Sequence, residues 1–228
     1  MKESIIRLNK YIALQTGVSR RQADDLIASG NVIVNDKIAI LGSRVNEGDD
    51  VKINNKSIDG DVKFVYLLLN KPVGLVCSRK QQGNNRTIYS ILPSKYRDLK
   101  TVGRLDKDSS GLIILTNDGD FAFRMTHPEF KKEKVYYTTL DRNLEASDES
   151  KINTGKVSLD DGVSHMSITA KNNDRRQWKI VMHEGKNRQI RRTFRTLGYA
   201  VKKLHRIEFG DFKLNDLAPG EYEETSIE

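Results

Sequence analysis

The sequence predicts an α+β protein in two parts. A small α/β module comes first, followed by a larger domain with a mainly antiparallel sheet flanked by helices. Two observations predict this. From residue 64 onward strand-like apolar runs follow one another with few helices between them, a pattern that favours antiparallel sheet over an alternating doubly wound fold. The first 58 residues instead carry two helical runs and then short alternating stretches, and the polar residues 55–63 behind them have the composition of a connection. The chain is therefore divided into a module at 1–58, a linker at 59–63 and a main domain at 64–228.

In chain order, Leu8, Tyr11, Ile12 and Leu14 fall at helical spacing within residues 7–16, and Gly17 ends the run. Ser19 and Gln22 form a capping box that opens a second helix, closed by Gly30. Residues 31–38 read as two short strands about an Asn-Asp turn, and 48–54 as another strand. In the main domain, residues 64–69 form a buried strand running into the turn Lys71-Pro-Val-Gly74. Residues 111–116 form a second, ending at Asn117-Asp-Gly119, where Asp118 suits a turn or helix cap. A short helix is expected over 120–126, a strand over 135–140 and a weak helix over 144–153. Within 156–184, Trp178, Ile180 and Met182 lie on one strand face. A basic helix over 187–197, stopped by Gly198, precedes a strand at 201–209.

Composition narrows the function. Lys and Arg number 39 against 31 Asp and Glu, a formal charge of +8. Residues 171–213 alone hold 13 Lys and Arg against 4 Asp and Glu, a local +9, so the rest of the chain is close to neutral. A patch of one sign faces solvent or a large anion, of which nucleic acid is the commonest. No run approaches the 18 or so apolar residues of a membrane span. The charged N-terminus lacks the apolar region of a secretory signal, so a cytoplasmic protein is expected. The single Cys77 excludes an intrachain disulfide and any multi-cysteine metal site. The four histidines, His127, His165, His183 and His205, show no ligand spacing, so no metal is expected.

Two clusters of cations stand out. In the basic helix, Ile190, Phe194 and Leu197 share one face while Arg188, Arg191, Arg192 and Arg195 project near the opposite one. Like charges at i,i+3 and i,i+4 destabilise an isolated helix, so phosphates or a buried carboxylate are expected to answer them. Arg20 and Arg21, in the first turn of the second helix, oppose its macrodipole. They are either screened by solvent or placed for an anionic ligand. Between the clusters lies a loop rich in Gly, Asp and Ser. Its Asp106, beside Arg104, reads as a turn-former, or, among cations, as a nucleophile or base.

Gly103-Arg-Leu-Asp106, followed by Gly111-Leu-Ile-Ile-Leu-Thr-Asn-Asp-Gly119, resembles the signature of the RsuA/RluB/RluE/RluF family of pseudouridine synthases. Lys71-Pro-Val-Gly74, Glu133-Lys-Val-Tyr136 and Gly185-Lys-Asn-Arg-Gln-Ile-Arg-Arg192 resemble its other motifs in the same order. Arg7-Leu-Asn-Lys-Tyr11, Ser19-Arg-Arg-Gln-Ala23 and Gly30-Asn-Val-Ile-Val-Asn35 resemble the S4-type RNA-binding domain that precedes these catalytic domains. His127-Pro128 and Phe209-Gly210-Asp211 look most like the RluB branch. Thr193 departs from the pattern, standing where a larger apolar residue is usual.

The resemblance implies isomerisation of uridine to pseudouridine in ribosomal RNA, above all large-subunit 23S RNA, without a cofactor; no feature of the sequence demands more than a monomer. It makes Asp106 the catalytic aspartate, attacking the sugar or the base. Tyr136 then lies against the base, and Arg191 is the basic partner of Asp106. Arg104 is placed to fill the space left by the flipped uridine. Arg188, Arg192 and Arg195 are left for phosphates, and Arg7, Lys10, Arg20 and Arg21 add RNA contacts from the first module. The competing readings are a non-catalytic RNA-binding assembly factor, and the same enzyme acting on 16S RNA or tRNA.

Overall fold

The computed structural model describes residues 5–60, 63–80 and 83–227. The chain divides into two compact units, one running to Phe64 and one from Val65. Among the described residues no helix is long and apolar enough to cross a membrane.

The first unit contains β1 (Ile6–Arg7), α1 (Leu8–Thr16), α2 (Arg20–Ala28), β2 (Val32–Val34), β3 (Lys37–Ile38), β4 (Arg44–Val45), β5 (Val51–Ile53) and β6 (Lys56–Ser57). Gly17 ends α1 at φ 75°, a left-handed conformation that glycine adopts without a Cβ clash. The capping box of α2 is formed in both directions: Gln22 N–H donates to the Ser19 hydroxyl, and Ser19 N–H donates to the Gln22 side chain. Leu8, Ile12, Ala23 and Ile27 bury the inner faces of the two helices against Val32, Val45 and Val51. The strands pair in the order β3-β2-β5-β6, antiparallel throughout.

Residues 55–60 depart from the sequence reading. Asn54 and Asn55 both take positive φ, 50° and 62°, as do Asn35 and Asp36 at 48° and 62°. Each pair makes the tight hairpin turn that fits strand twist. The chain therefore returns as β6, and Ile58 packs against the module core. Tyr11 Oη donates to Ile58 O at 2.8 Å and Gln15 Nε2 to Gly60 O at 2.8 Å. Polar composition here marks an exposed two-residue turn rather than a connection. Residues 61 and 62 of the expected linker lie outside the described residues.

The second unit contains β7 (Tyr66–Lys71), β8 (Lys100–Val102), β9 (Ser110–Thr116), α3 (Gly119–Thr126), β10 (Lys134–Leu140), α4 (Ala146–Asn153), β11 (Ser158–Leu159), β12 (Gly162–Val163), β13 (Ser167–Ala170), β14 (Gln177–Met182), α5 (Gln189–Thr196), β15 (Val201–Phe209), β16 (Phe212–Lys213) and β17 (Tyr222–Thr225). Its main sheet runs β13-β14-β10-β15-β9-β7-β17, with β8 on β9 and β16 on β15. Helices and loops cover both faces, which is why β9 is apolar at successive positions. Leu112 and Ile114 pack with Phe121, Met125 and Phe209. Ile113 and Leu115 share the opposite core with Trp178, Ile180 and Phe194. Asp118 caps α3, accepting from the N–H groups of Asp120 and Phe121 at 2.9 and 3.0 Å. It also accepts from Tyr66 Oη at 2.8 Å. Burial, followed by that bond, pushes the Tyr66 phenol up to about 12.

Among the named strands of the described residues, one pair is parallel, β9 with β15. It decides what meets at the end of the sheet, because segments preceding two parallel neighbours arrive at the same edge. The loop before β9 and α5 before β15 are thereby brought together. The register aligns four residues across adjacent strands: Lys71 opposite Gly111, Gly111 opposite Arg206, and Arg206 opposite Tyr136. A β-bulge between Val135 and Tyr136 interrupts the β10–β15 ladder at this row. Gly111 is indispensable there. Its φ is 104°, and a Cβ would lie 2.2 Å from Arg206 O.

Gly111→Ala is therefore expected to destabilise the protein by about 2 kcal/mol or more, read from the urea midpoint. An unchanged midpoint would contradict the close approach of β9 and β15.

Candidate active site

The loop at residues 104–109 leaves Gly103, whose φ is 68°, and is held on every side. Lys71, wholly buried at the end of β7, donates its ammonium to Ser109 O at 2.6 Å and Pro72 O at 3.0 Å. Burial pulls its pKa below the usual lysine value, opposed by Cys77, Asp108 and Asp106. The turn after Lys71 contributes Gly74 N–H, which donates to Lys107 O at 2.7 Å. Lys107 Nζ reaches Asn85 Oδ1 at 2.6 Å, and Leu105 N–H donates to Cys77 Sγ at 3.5 Å. Burial raises the pKa of that thiol, so Cys77 serves as a small acceptor.

The other clamp comes from α5. Arg191 Nη2 donates to Asp108 O at 2.8 Å and to Ser109 Oγ at 3.3 Å, while Nη1 donates to Val201 O at 2.9 Å. One guanidinium thus ties the loop to the start of β15, using the planar fork that only arginine offers. Arg188 makes a bidentate pair with Asp108, at 3.1 and 2.8 Å, and approaches Asp106 Oδ2 at 3.4 Å. These arginines hold the Asp108 carboxyl below the usual aspartate range, the Arg188 hydrogen bond first and the Arg191 charge after it. Arg188 is not helical as the sequence reading has it. Its φ is 46°, and α5 begins at Gln189. Gln189 Oε1 accepts from Lys186 N–H at 3.2 Å in the turn that sets this start.

Asp106 lies in a cleft of about 740 Å³, within the range that takes a small organic ligand. Arg104, Tyr136, Arg188, Arg191 and Arg206 also line it. Tyr136 is buried on β10, packed in the same core as Ile180 and Leu204. Arg206 is buried too, with Nε donating to Leu112 O at 2.8 Å. Arg104 is exposed and makes no ion pair or hydrogen bond among the described residues. Lys134 also lines the cleft, its pKa lowered by burial and then by Arg206.

In the first unit, Arg7, Arg20 and Arg21 are exposed and Lys10 is half-buried on α1. Arg20 Nη2 reaches Asn9 Oδ1 at 3.3 Å. Arg7 and Asn9 line a small hollow with Asp24.

Residues 65–196 match the family model for RNA pseudouridylate synthases. The chain belongs to this family. Residues 6–58 of the synthase match the S4 domain. It is 36% identical over 228 residues to the dual-specificity RNA pseudouridine synthase RluF of Escherichia coli K12, covering 99% of this chain and 77% of that one. It is 33% identical to the ribosomal large subunit pseudouridine synthase B of Bacillus subtilis, covering 96% and 92%. A crystal structure of a pseudouridylate synthase, 30% identical, superimposes with a TM-score of 0.68, covering 97% of this chain and 96% of the other.

Two expectations about the arginines of the synthase are corrected. Arg191 is not ion-paired with Asp106: its donors go to Asp108 O, Ser109 Oγ and Val201 O, and its Nε lies 3.3 Å from Asp108 Oδ2. Arg188 stands nearest Asp106 instead, because its left-handed backbone turns it toward the loop. Nor are the remaining helix arginines all left for phosphate. Arg188 is taken by Asp108, and Arg192 pairs with Asp161 at 2.9 and 2.8 Å, while Arg195 is exposed. Carboxylates of the fold supply the partners that the like-charge spacing called for.

Lys71, Asp108 and Arg206 carry much of the geometry, yet sequence reasoning gives Asp108 and Arg206 no place and Lys71 only a place in a turn motif, without a role. A lysine following the apolar run of residues 64–69 is the signal for a buried one. Thr193, which stands where a larger apolar residue is usual in the family, is buried. Its hydroxyl bonds Ser164 Oγ at 2.7 Å and Gln189 O at 2.9 Å, so a polar contact replaces the apolar one.

The Asp108 clamp predicts a pH dependence. Its folded pKa lies below its unfolded value of about 3.9, so its stabilisation is present above that value. It is lost as pH falls through the folded pKa. The stability gap between wild type and Asp108→Asn should therefore narrow from pH 6 to pH 3. A constant gap in urea midpoints across that range would contradict the ion pair.

Proposed function

We propose that the synthase isomerises a uridine of large-subunit ribosomal RNA, with Asp106 as the catalytic carboxylate. The observation that carries this reading is the contrast within one loop. Its backbone is fastened by Lys71, Gly74 and Arg191. The Asp106 carboxylate meets one cation at 3.4 Å and lines an open cleft. A rigid loop carrying a reachable carboxylate is what positioning catalysis requires.

The reaction exchanges the C1′–N1 bond of uridine for C1′–C5, loses the C5 proton and places a proton on N1. Composition and oxidation state are unchanged. Asp106 attacks the sugar or the base as the bond to N1 breaks. Tyr136, on the floor of the cleft, lies against the base. Arg191 acts on the loop rather than on the Asp106 carboxylate, and so supports it through position. Base chemistry requires the uridine to leave its stack, at a cost of a few kcal/mol. Arg104, exposed beside Asp106, fills the gap left in the RNA. Arg195 with Arg7, Lys10, Arg20 and Arg21 contacts phosphates. Arg188 and Arg192 join them by exchanging their carboxylate partners for RNA.

The large-subunit substrate is proposed from the similarity to the Bacillus synthase whose name places it on the ribosomal large subunit, 33% identical over 96% of this chain. The synthase acts as a monomer in this reading, and ribosomal RNA as substrate suits the cytoplasm.

Tritium release from C5-labelled uridine in large-subunit rRNA transcripts tests the reading. Wild type should release tritium, and Asp106→Asn should release none while RNA affinity stays within about threefold, since the substitution keeps the shape of the side chain and removes one half-buried charge. Release by Asp106→Asn would remove the carboxylate from the chemistry, and loss of RNA binding would make Asp106 structural. Release only from small-subunit rRNA or tRNA would overturn the substrate.

A further inference from the structure

An exposed aromatic cluster lies at the end of α3, outside the machinery described above. Phe123 is 52% exposed and Phe130 is 41% exposed, and the His127 side chain is 43% exposed. The Phe123 and His127 rings are 4.6 Å apart between centroids and tilted by 37°. Phe130 stands edge-on to both, at 5.9 and 6.3 Å. The arrangement is built in by the helix. Phe121 and Met125, four residues apart, face the core. Phe123 and His127, also four apart, face outward, and His127 N–H donates to Phe123 O at 2.8 Å. The short turn Pro128–Phe130 then folds Phe130 back, and Lys131 closes it at φ 44°.

We propose that this cluster is a stacking platform for an unpaired RNA base beside the target uridine. The inference rests on the uridine-isomerase reading and adds a base-binding site to it. Three observations select this occupant. The platform is continuous with the cleft, since Thr126, His127 and Pro128 form part of the wall of the cavity that holds Asp106. Exposed Arg124 and Lys131 adjoin Phe123 and Phe130 in sequence and suit a phosphate backbone, with Glu129 an acidic neighbour, 3.8 Å from His127 Nδ1. Flipping one nucleotide also leaves its neighbour with an uncovered face, which an aromatic side chain covers regardless of base identity.

The test uses the full chain and a large-subunit rRNA transcript. Phe123→Ala and Phe123→Leu should each weaken binding about tenfold, the scale of one base–aromatic stack, while Phe123→Tyr stays within about twofold of wild type. Ultraviolet crosslinking of wild type should join the peptide holding Phe123 and Phe130 to a nucleotide adjoining the isomerised uridine. Wild-type affinity for Phe123→Leu would overturn the platform, because an apolar side chain without a π face would then suffice. So would unchanged RNA affinity together with an altered sedimentation coefficient for Phe123→Ala, which would assign the rings to a contact between copies. Tritium release by wild type reports separately on the isomerase reading: its absence alongside the binding pattern above would sink that reading and leave only the stacking of the rings on RNA.

Discussion

The ammonium of Lys71 lies out of reach of solvent and donates to two peptide oxygens, those of Pro72 and Ser109. Burying a cation is costly unless it is hydrogen-bonded, and leaving those oxygens unpaired would cost more. The two sides of this bond are 38 residues apart in sequence. They meet because β7 and β9 pair with Lys71 opposite Gly111. That row continues through Arg206 to Tyr136. The cleft is thus laid out by strand register, with Lys71 fastening the loop that rises from its edge.

Electrostatics at the site follow a division of labour within α5 and the turn before it. Arg188 and Arg192 are matched by Asp108 and Asp161, partners within reach of solvent. Arg191 is more enclosed, and its donors go chiefly to backbone and hydroxyl oxygens. The carboxylates of these pairs stay open to solvent, whereas the Arg191 bonds fix the loop to β15. The turn and helix therefore supply both the rigid support of the loop, through Arg191, and cations held in pairs with carboxylates, Arg188 and Arg192.

Local patterns made the elements legible. The capping box at Ser19 and Gln22, the Asp118 cap and the single-faced burial of Trp178, Ile180 and Met182 depend only on near neighbours, and each is present. The apolar runs of β7 and β9 were equally plain, although β7 sits two residues later than expected because Asn70 and Lys71 find partners inside the fold. Short strands were missed. β17, with the sequence Tyr-Glu-Glu-Thr, is set by pairing to β7 rather than by its own propensity. The motifs marked where the cleft would be. They could not show that Arg188 would take a left-handed backbone, or that Arg191 would turn to the peptide oxygens of Asp108 and Val201, since both depend on the register of distant strands.

Everything at the cleft turns on the hold that Lys71 has on the Asp106 loop. The most direct test of that hold is the single-turnover rate of Lys71→Met, which keeps the bulk of the side chain and removes its donors, on an RNA the wild type isomerises. A displacement of the loop by about 1 Å should slow the chemical step roughly a hundredfold, with RNA affinity retained. A wild-type rate in the folded variant would contradict it.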